Sequence, residues 1–317
     1  MQNTKTLVTD KRAKRNSLTE GVGYFRKHLQ TYLFLVPGII LVFIFNYIPL
    51  SGLRMAFLDY DVFKGMDSPF IGFENFKTIF TTPAFMNSVW NTLTLSLLNI
   101  CIGFPLPIIF ALMLNELKNG LFKRFTQTVS YLPHFISTIA VVGIASTILS
   151  NYGIVNDIRL MLFGEETERV LFLTLQNWFV PLNIGLGVWQ SLGWSAVIYL
   201  ATISGVDPEL YDAAVIDGAG KLRQCIHVTL PSIINTIIIL LILRIGKLFG
   251  SNFALVYGLQ NVFIDFEVIS TIVYKQGITQ GNFSVATALS LAQGLISVIL
   301  VMSTNYFAKK YSEVSVV

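Results

Sequence analysis

Arg244 and Lys247 are the two cations that fall inside a long apolar run of this chain, three residues apart. On a continuous helix that spacing puts them on one face, about 20 Å along the run from Pro231 at a rise of about 1.5 Å per residue. A cation facing hydrocarbon there costs about 2.5–3.5 kcal/mol on insertion scales. Both must therefore face other helices or water. Two readings stand: the pair lines a wet path and donates to hydroxyl or acidic groups of a solute, or it is a structural pair bound to backbone carbonyls. The same apolar run offers Asn252 and Tyr257, and other apolar runs offer Asn183, Trp189, Gln190, Trp194 and Gln293. A buried amide needs partners, which singles out Gln190 and Gln293. Trp194 and Tyr257 read first as residues of an interfacial aromatic belt.

Covalent or acid–base chemistry finds no support. His28, His134 and His227 have no second histidine or carboxylate at ligand or triad spacing and read as structural. Gly218-Ala219-Gly220-Lys221 has the sound of a phosphate loop, but Val215 and Leu222 stand where that loop needs glycine and a hydroxyl residue. This route to ATP is closed, and neither catalysis, a metal site nor a cofactor is expected of the chain. Cys101 and Cys225 fit neither a disulfide framework nor a metal pattern and are expected to be free thiols.

The elements that must position the polar residues are membrane spans. The 317 residues are 53% hydrophobic and only 13% charged, a membrane composition. Apolar runs long enough to span, each needing about 20 residues, lie near 31–51, 87–114, 128–150, 179–203, 232–257 and 284–307. Pro105 and Pro107 are expected to kink the second. An amino-terminal tail over 1–29 holds Lys5, Lys11, Arg12, Lys14, Arg15, Arg26 and Lys27, and the late, long apolar run after it is no cleavable signal peptide. With both tails (1–29 and 311–317) inside, 14 Lys and Arg fall on the inner side and 6 on the outer. That bias predicts cytoplasmic termini and explains the net charge of +4 without nucleic acid. The outer segments 52–86 and 151–178 are long for connectors and read as caps or partner contacts. None of the six runs contains Asp or Glu, which argues against a proton- or sodium-coupled carrier.

The inner segment 205–231 is too polar for lipid. Asp207 is a good N-cap and Pro208 suits the first helical position. Leu210, Ala213 and Ala214 share a helical face, and Asp217-Gly218 ends that helix. A second short helix is expected over Ala219–Val228, and Thr229-Leu230-Pro231 begins the next span. The product is a helical hairpin at the membrane surface.

Asp212-Ala213-Ala214-Val215-Ile216-Asp217-Gly218-Ala219, closed by Leu230-Pro231, resembles the EAA loop of the permease subunits of ABC importers. Asp212 replaces the usual glutamate, and Cys225 stands where an aromatic is common. Tyr131-Leu132-Pro133-His134-Phe135-Ile136-Ser137, Trp189-Gln190-Ser191-Leu192-Gly193-Trp194, Asn115-Glu116-Leu117 and Gly281-Asn282-Phe283-Ser284 look like the maltose-type branch that serves oligosaccharides and complex glycans. The similarity covers most of 30–310. Phe253-Ala254-Leu255 departs from a Phe-Glu-Gln run of many relatives, so that polar contact does not transfer.

The resemblance implies an all-α membrane protein of six transmembrane helices, with the type I ABC importer permease fold over 30–310, in the bacterial cell membrane. Asp212, Ala213, Ala214, Asp217, Gly218, Ala219, Leu230 and Pro231 would couple the hairpin to a cytoplasmic ATPase dimer, which carries the ATP and magnesium. A second homologous permease, an extracytoplasmic saccharide-binding protein and a saccharide substrate are the other implied partners. Gln190, Trp194, Arg244, Lys247, Asn252, Tyr257 and Gln293 would line the substrate path. The alternatives are an ion-coupled carrier or channel needing no ATPase, and a non-transporting membrane receptor or assembly subunit.

Overall fold

The computed structural model describes residues 27–118, 120–164, 166–250 and 252–312. Most of the basic amino-terminal tail and residues 313–317 lie outside them. Two compact units divide at Arg54/Met55. The first unit contains α1 (Leu29–Val42), followed by a π-helical turn over Phe43–Tyr47.

The second unit is built of helices joined by turns and loops, with an isolated bridge pairing Leu58 with Phe70 and no strand among its described residues. Its elements are α2 (Glu74–Thr81), α3 (Pro83–Leu98), α4 (Pro105–Glu116), α5 (Leu121–Tyr131), α6 (Thr138–Ile148), α7 (Ile154–Phe163) and α8 (Gln176–Ile203). These are followed by α9 (Pro208–Ile216), α10 (Lys221–Gln224), α11 (Ile234–Gly246), α12 (Phe253–Leu259), α13 (Ile269–Tyr274) and α14 (Phe283–Ser312). Among the described residues four helical runs are long and apolar enough to cross a bilayer: Leu29–Phe57, Pro83–Glu116, Gln176–Ile203 and Phe283–Lys310. Counting each of two bent pairs as one span brings the number to six.

Those two pairs fall at the third and fifth expected spans. Leu121–Phe135 and Thr138–Ile148 meet at 102°. Pro133 starves the preceding turn of a donor, and Ser137 restarts a helix by accepting from the Ala140 N–H at 3.2 Å. Lys221–Ser232 and Ile234–Gly246 meet at 62°. The fifth run then stops at Gly246, well short of residue 257. Its last turns tighten through Lys247 N–H to Arg244 O and Gly250 N–H to Lys247 O, and Asn252 caps α12 by accepting from Leu255 N–H. In the second span Pro105 has no N–H to give, and the ladder widens into a π-helical turn over Asn99–Gly103.

The core forms three apolar clusters. One gathers Leu95, Val142, Phe179, Leu255 and Phe266 around the junction of α3, α6, α8 and α12. Another packs Phe85, Phe249, Ile272 and Leu289 between α3, α13 and α14. The third joins Ala111 of α4 with Ala196, Tyr199 and Ile203 of α8 and with Ile233. The long connectors are folded caps. Buried Asn75 donates to the carbonyls of Ala56 and Leu58 at 2.9 and 3.0 Å. Buried Asn156 donates to Ser150 and Val170 carbonyls and accepts the Val170 N–H.

Candidate solute cavity and docking hairpin

A cavity of about 500 Å³ opens where the helices break. That size suits a small-ligand site, which is about 300–1,000 Å³. The π turn of the second span supplies Asn99, the bend of the third supplies His134, Ser137 and Thr138, and α8 supplies Asn183, Gln190 and Ser191. The interrupted fifth span supplies Arg244, Lys247 and Asn252. Each break leaves backbone carbonyls and polar side chains at membrane depth, which is tolerated where protein or a polar cavity meets them.

Four of the expected path residues therefore come together: Gln190, Arg244, Lys247 and Asn252. Arg244 and Lys247 remain within one hydrogen-bonded turn, because the Lys247 N–H donates to the Arg244 carbonyl at 3.0 Å as α11 ends at Gly246. Arg244 gives one long hydrogen bond, Nη2 to Asn99 Oδ1 at 3.4 Å. Gln190 turns its Nε2 to the Ile136 carbonyl at 2.8 Å and so holds the bend of the third span. Asn183 is 4% exposed, and its Nδ2 has no hydrogen-bond partner among the described residues. An unmet buried donor costs about 1–3 kcal/mol.

The other three fall elsewhere. Trp194 stacks on His134 and packs edge-on against Phe135, so its ring supports the bend. Tyr257 belongs to an aromatic group with Phe253 and Tyr274. Gln293 donates to the Phe249 carbonyl at 2.9 Å, joining α14 to the segment after α11. Asn99 is not singled out by the sequence, and His134, read there as structural, stacks on Trp194 and also lines the cavity. The prolines six residues after Asn99 and one residue before His134 are the signals that mark both as lying at a break.

The hairpin forms as its sequence dictates. Asp207 accepts from the Glu209 N–H at 3.0 Å, and Pro208 opens α9. Gly218 sits at φ 75°. From there Gly218 N–H bonds Val215 O and Ala219 N–H bonds Ala214 O, at 3.0 and 2.9 Å. This pair of bonds is a Schellman motif, which closes the last carbonyls of a helix and needs a left-handed residue. The second helix is shorter than expected: α10 ends at Gln224, and a π-helical turn over Cys225–Thr229 leads on to Leu230–Ser232. Tyr211 and Thr229 hydroxyls meet at 3.0 Å and tie the two arms. Asp212, Ala213, Asp217 and Gly218 are exposed, as are the apolar Leu210, Val215, Ile216 and Leu222. Ala214, Ala219, Leu230 and Pro231 lie on or beside the turns, with Ala219 O accepting from Gln224 Nε2. Burial raises the Cys225 thiol above its usual range, with Glu116 adding to the rise.

Breaks lined with polar groups and an exposed helical hairpin define a polytopic membrane permease. Residues 103–313 match the family described as binding-protein-dependent transport system inner membrane component, and the chain belongs to it. It is 43% identical over 286 residues to the polygalacturonan/rhamnogalacturonan transport system permease protein YteP of Bacillus subtilis (strain 168), covering 89% of this chain and 88% of that one. Protein LplB of the same organism is 40% identical, covering 89% of each chain. A chain of a bacterial ABC transporter involved in the import of the acidic polysaccharide alginate superposes with a TM-score of 0.83 at 35% identity, over 91% of this chain and 98% of that one. The all-α type I ABC importer permease fold is thereby established.

Proposed function

We propose that this chain is the permease subunit through which oligosaccharides cross the membrane in an ATP-driven importer. The observation that carries the reading is that the same two helices serve both ends. α8 runs from the cavity at Asn183 and Gln190 to Ile203, and the hairpin begins four residues later at Asp207. Pro231 closes the hairpin, and α11 then leads back to Arg244 in the cavity wall. A displacement of the hairpin is thus transmitted along rigid rods to the residues around a solute.

In this reading the termini and the 205–231 hairpin face the cytoplasm, in keeping with the Lys and Arg bias. An ATPase dimer, which binds ATP and magnesium, receives the exposed face of α9 and the Asp217-Gly218 turn. Its closure moves the hairpin, and the spans rock to open the cavity first outward and then inward. A second homologous permease completes the path, and an extracytoplasmic binding protein delivers the sugar. The similarity to a polygalacturonan/rhamnogalacturonan transport system permease and to an alginate importer supports a saccharide cargo.

The test is ATPase activity of the co-expressed complex in lipid, with the binding protein loaded in turn with neutral and acidic oligosaccharides. One class is expected to stimulate hydrolysis, and Gly218→Asp to abolish the stimulation. No stimulation by any saccharide, together with ion-dependent flux through this chain alone, would replace the reading by an ion-coupled carrier.

A further inference from the structure

We infer that the cavity wall built by this chain is a carboxylate-reading site, and that its cargo is an oligosaccharide bearing uronic acid groups. The inference rests on the saccharide-permease reading above and adds which residues take the acid group.

Three observations converge. Arg244 and Lys247 both line the cavity, and no Asp or Glu lines it among the described residues. The wall is therefore cationic, and it favours an anion over a neutral sugar of equal size. Among the described residues Arg244 spends its guanidinium on a single 3.4 Å contact with Asn99. A guanidinium has five donors in a fork that matches a carboxylate. Lastly, Asn183 Nδ2 is a buried donor without a partner on the same wall. A carboxylate offers about four acceptor positions on two charged oxygens, against two on a neutral hydroxyl, so it suits a set of guanidinium, ammonium and amide donors better.

The site also explains why the cations sit at the end of α11. Lys247 caps the last turn of α11, its N–H donating to the Arg244 carbonyl at 3.0 Å. Its flexible four-carbon stem can follow a carboxylate along the cavity, while Arg244 is held beside Asn99.

The experiment uses the assembled transporter in lipid nanodiscs, without the binding protein, so that the permease rather than the delivery protein makes the choice. Equilibrium binding is measured for an oligouronide, its methyl ester and a phosphorylated oligosaccharide of the same length. The oligouronide is expected to bind about tenfold or more tightly than the ester, the worth of one charge-assisted contact. In Arg244→Gln with Lys247→Gln that ratio is expected to fall to near one, and in Arg244→Lys with Lys247→Arg to return.

Asn183→Asp is a near-isosteric second probe, useful if the double variant does not assemble. It should weaken the oligouronide about tenfold while leaving the ester little changed. Equal binding of acid and ester, or a ratio indifferent to these variants, overturns the carboxylate site and leaves the saccharide reading standing. Preference for the phosphorylated sugar overturns the uronate assignment. Failure of every saccharide, both to bind here and to stimulate hydrolysis in the full complex, overturns both readings.

Discussion

The imidazole of His134 lies flat on the indole of Trp194, with ring centroids 4.8 Å apart and planes 2° from parallel. Four residues earlier on the same face of α8, Gln190 donates to the Ile136 carbonyl. Residues at i and i+4 are neighbours on a helix surface, so Gln190 and Trp194 act as two jaws on residues 134–136. They hold the sharp bend of the third span against α8. One jaw is a hydrogen bond and the other an aromatic stack, and His134 is presented to the cavity between them.

A stacked aromatic pair contributes about 0.5–1.5 kcal/mol beyond its area. His134→Ala and Trp194→Ala are therefore expected to be non-additive by that amount in a double-mutant cycle read by unfolding of the purified complex. Trp194→Phe should keep part of the coupling. Strict additivity would mean that the two rings are neighbours without being partners.

Gly218 makes a separate prediction at the hairpin. Its φ of 75° is a conformation that residues with a Cβ adopt at a cost of roughly 1–2 kcal/mol. Gly218→Ala should loosen α9 by that amount and lower saccharide-stimulated ATP hydrolysis. Gly218→Asn should do less harm, because asparagine tolerates the left-handed region. An added Cβ meets nothing within 4 Å, so the effect is conformational and not a clash. Equal activity of the alanine variant and the parent would show that the Schellman turn is dispensable.

The hairpin was legible in the sequence because its rules are local. Asp207, Pro208 and Gly218 each act on backbone within a few residues, and each stands in the structure as its type and position require. The cavity was only partly legible. Asn183, Gln190, Arg244 and Asn252 declare themselves as polar residues in apolar runs, but so does Gln293, whose amide is spent on the Phe249 carbonyl. Sequence pattern gives the need for a partner and not its identity. Lys247 shows where spacing does suffice. Its separation from Arg244 predicts a shared face, and although α11 ends at Gly246 the Lys247 N–H still closes a turn on the Arg244 carbonyl, so that both cations line the cavity.

Glu267 carries a prediction in pH. Burial pushes its carboxyl up, but hydrogen bonds from Lys275 and Thr271 and the charge of Lys275, with Gln260 adding to them, outweigh burial and leave it below the usual glutamate range. A carboxylate with a depressed folded pKa stabilises the fold above its unfolded pKa, and the stabilisation is lost as pH falls through the folded value. The segment around α13, which Glu267 ties to Lys275 and to Asn91 of α3, should hold through neutral and mildly acidic pH. It should loosen only in stronger acid. Its side chain is 28% exposed, so the effect is small, on the order of 1 kcal/mol or less. Glu267→Gln should flatten the acid limb of a plot of melting temperature against pH. An acid limb of unchanged slope would assign the acid sensitivity to other groups.

The last prediction concerns how α8 and α5 come close enough for the jaws to close. A Cβ added at Gly193 would stand 2.1 Å from the Ser130 carbonyl oxygen and 2.9 Å from the Tyr131 ring. The first of these is backbone and cannot swing aside, so Gly193→Ala must push α5 away from α8. Overpacking of this kind costs about 1–3 kcal/mol. Because Gly193 lies between Gln190 and Trp194, the displacement should also open the grip on residues 134–136. The His134–Trp194 coupling energy should therefore shrink in the Gly193→Ala background. Gly185, two turns away on the same helix, is the control. A Cβ there meets nothing within 4 Å, and alanine is the better helix former by about 0.5–1 kcal/mol. Gly185→Ala should leave folding and transport intact or raise the melting temperature slightly, while Gly193→Ala lowers both. If the two alanines behave alike, the close approach at Ser130 does not position the bend, and the clamp must be sought on another helix.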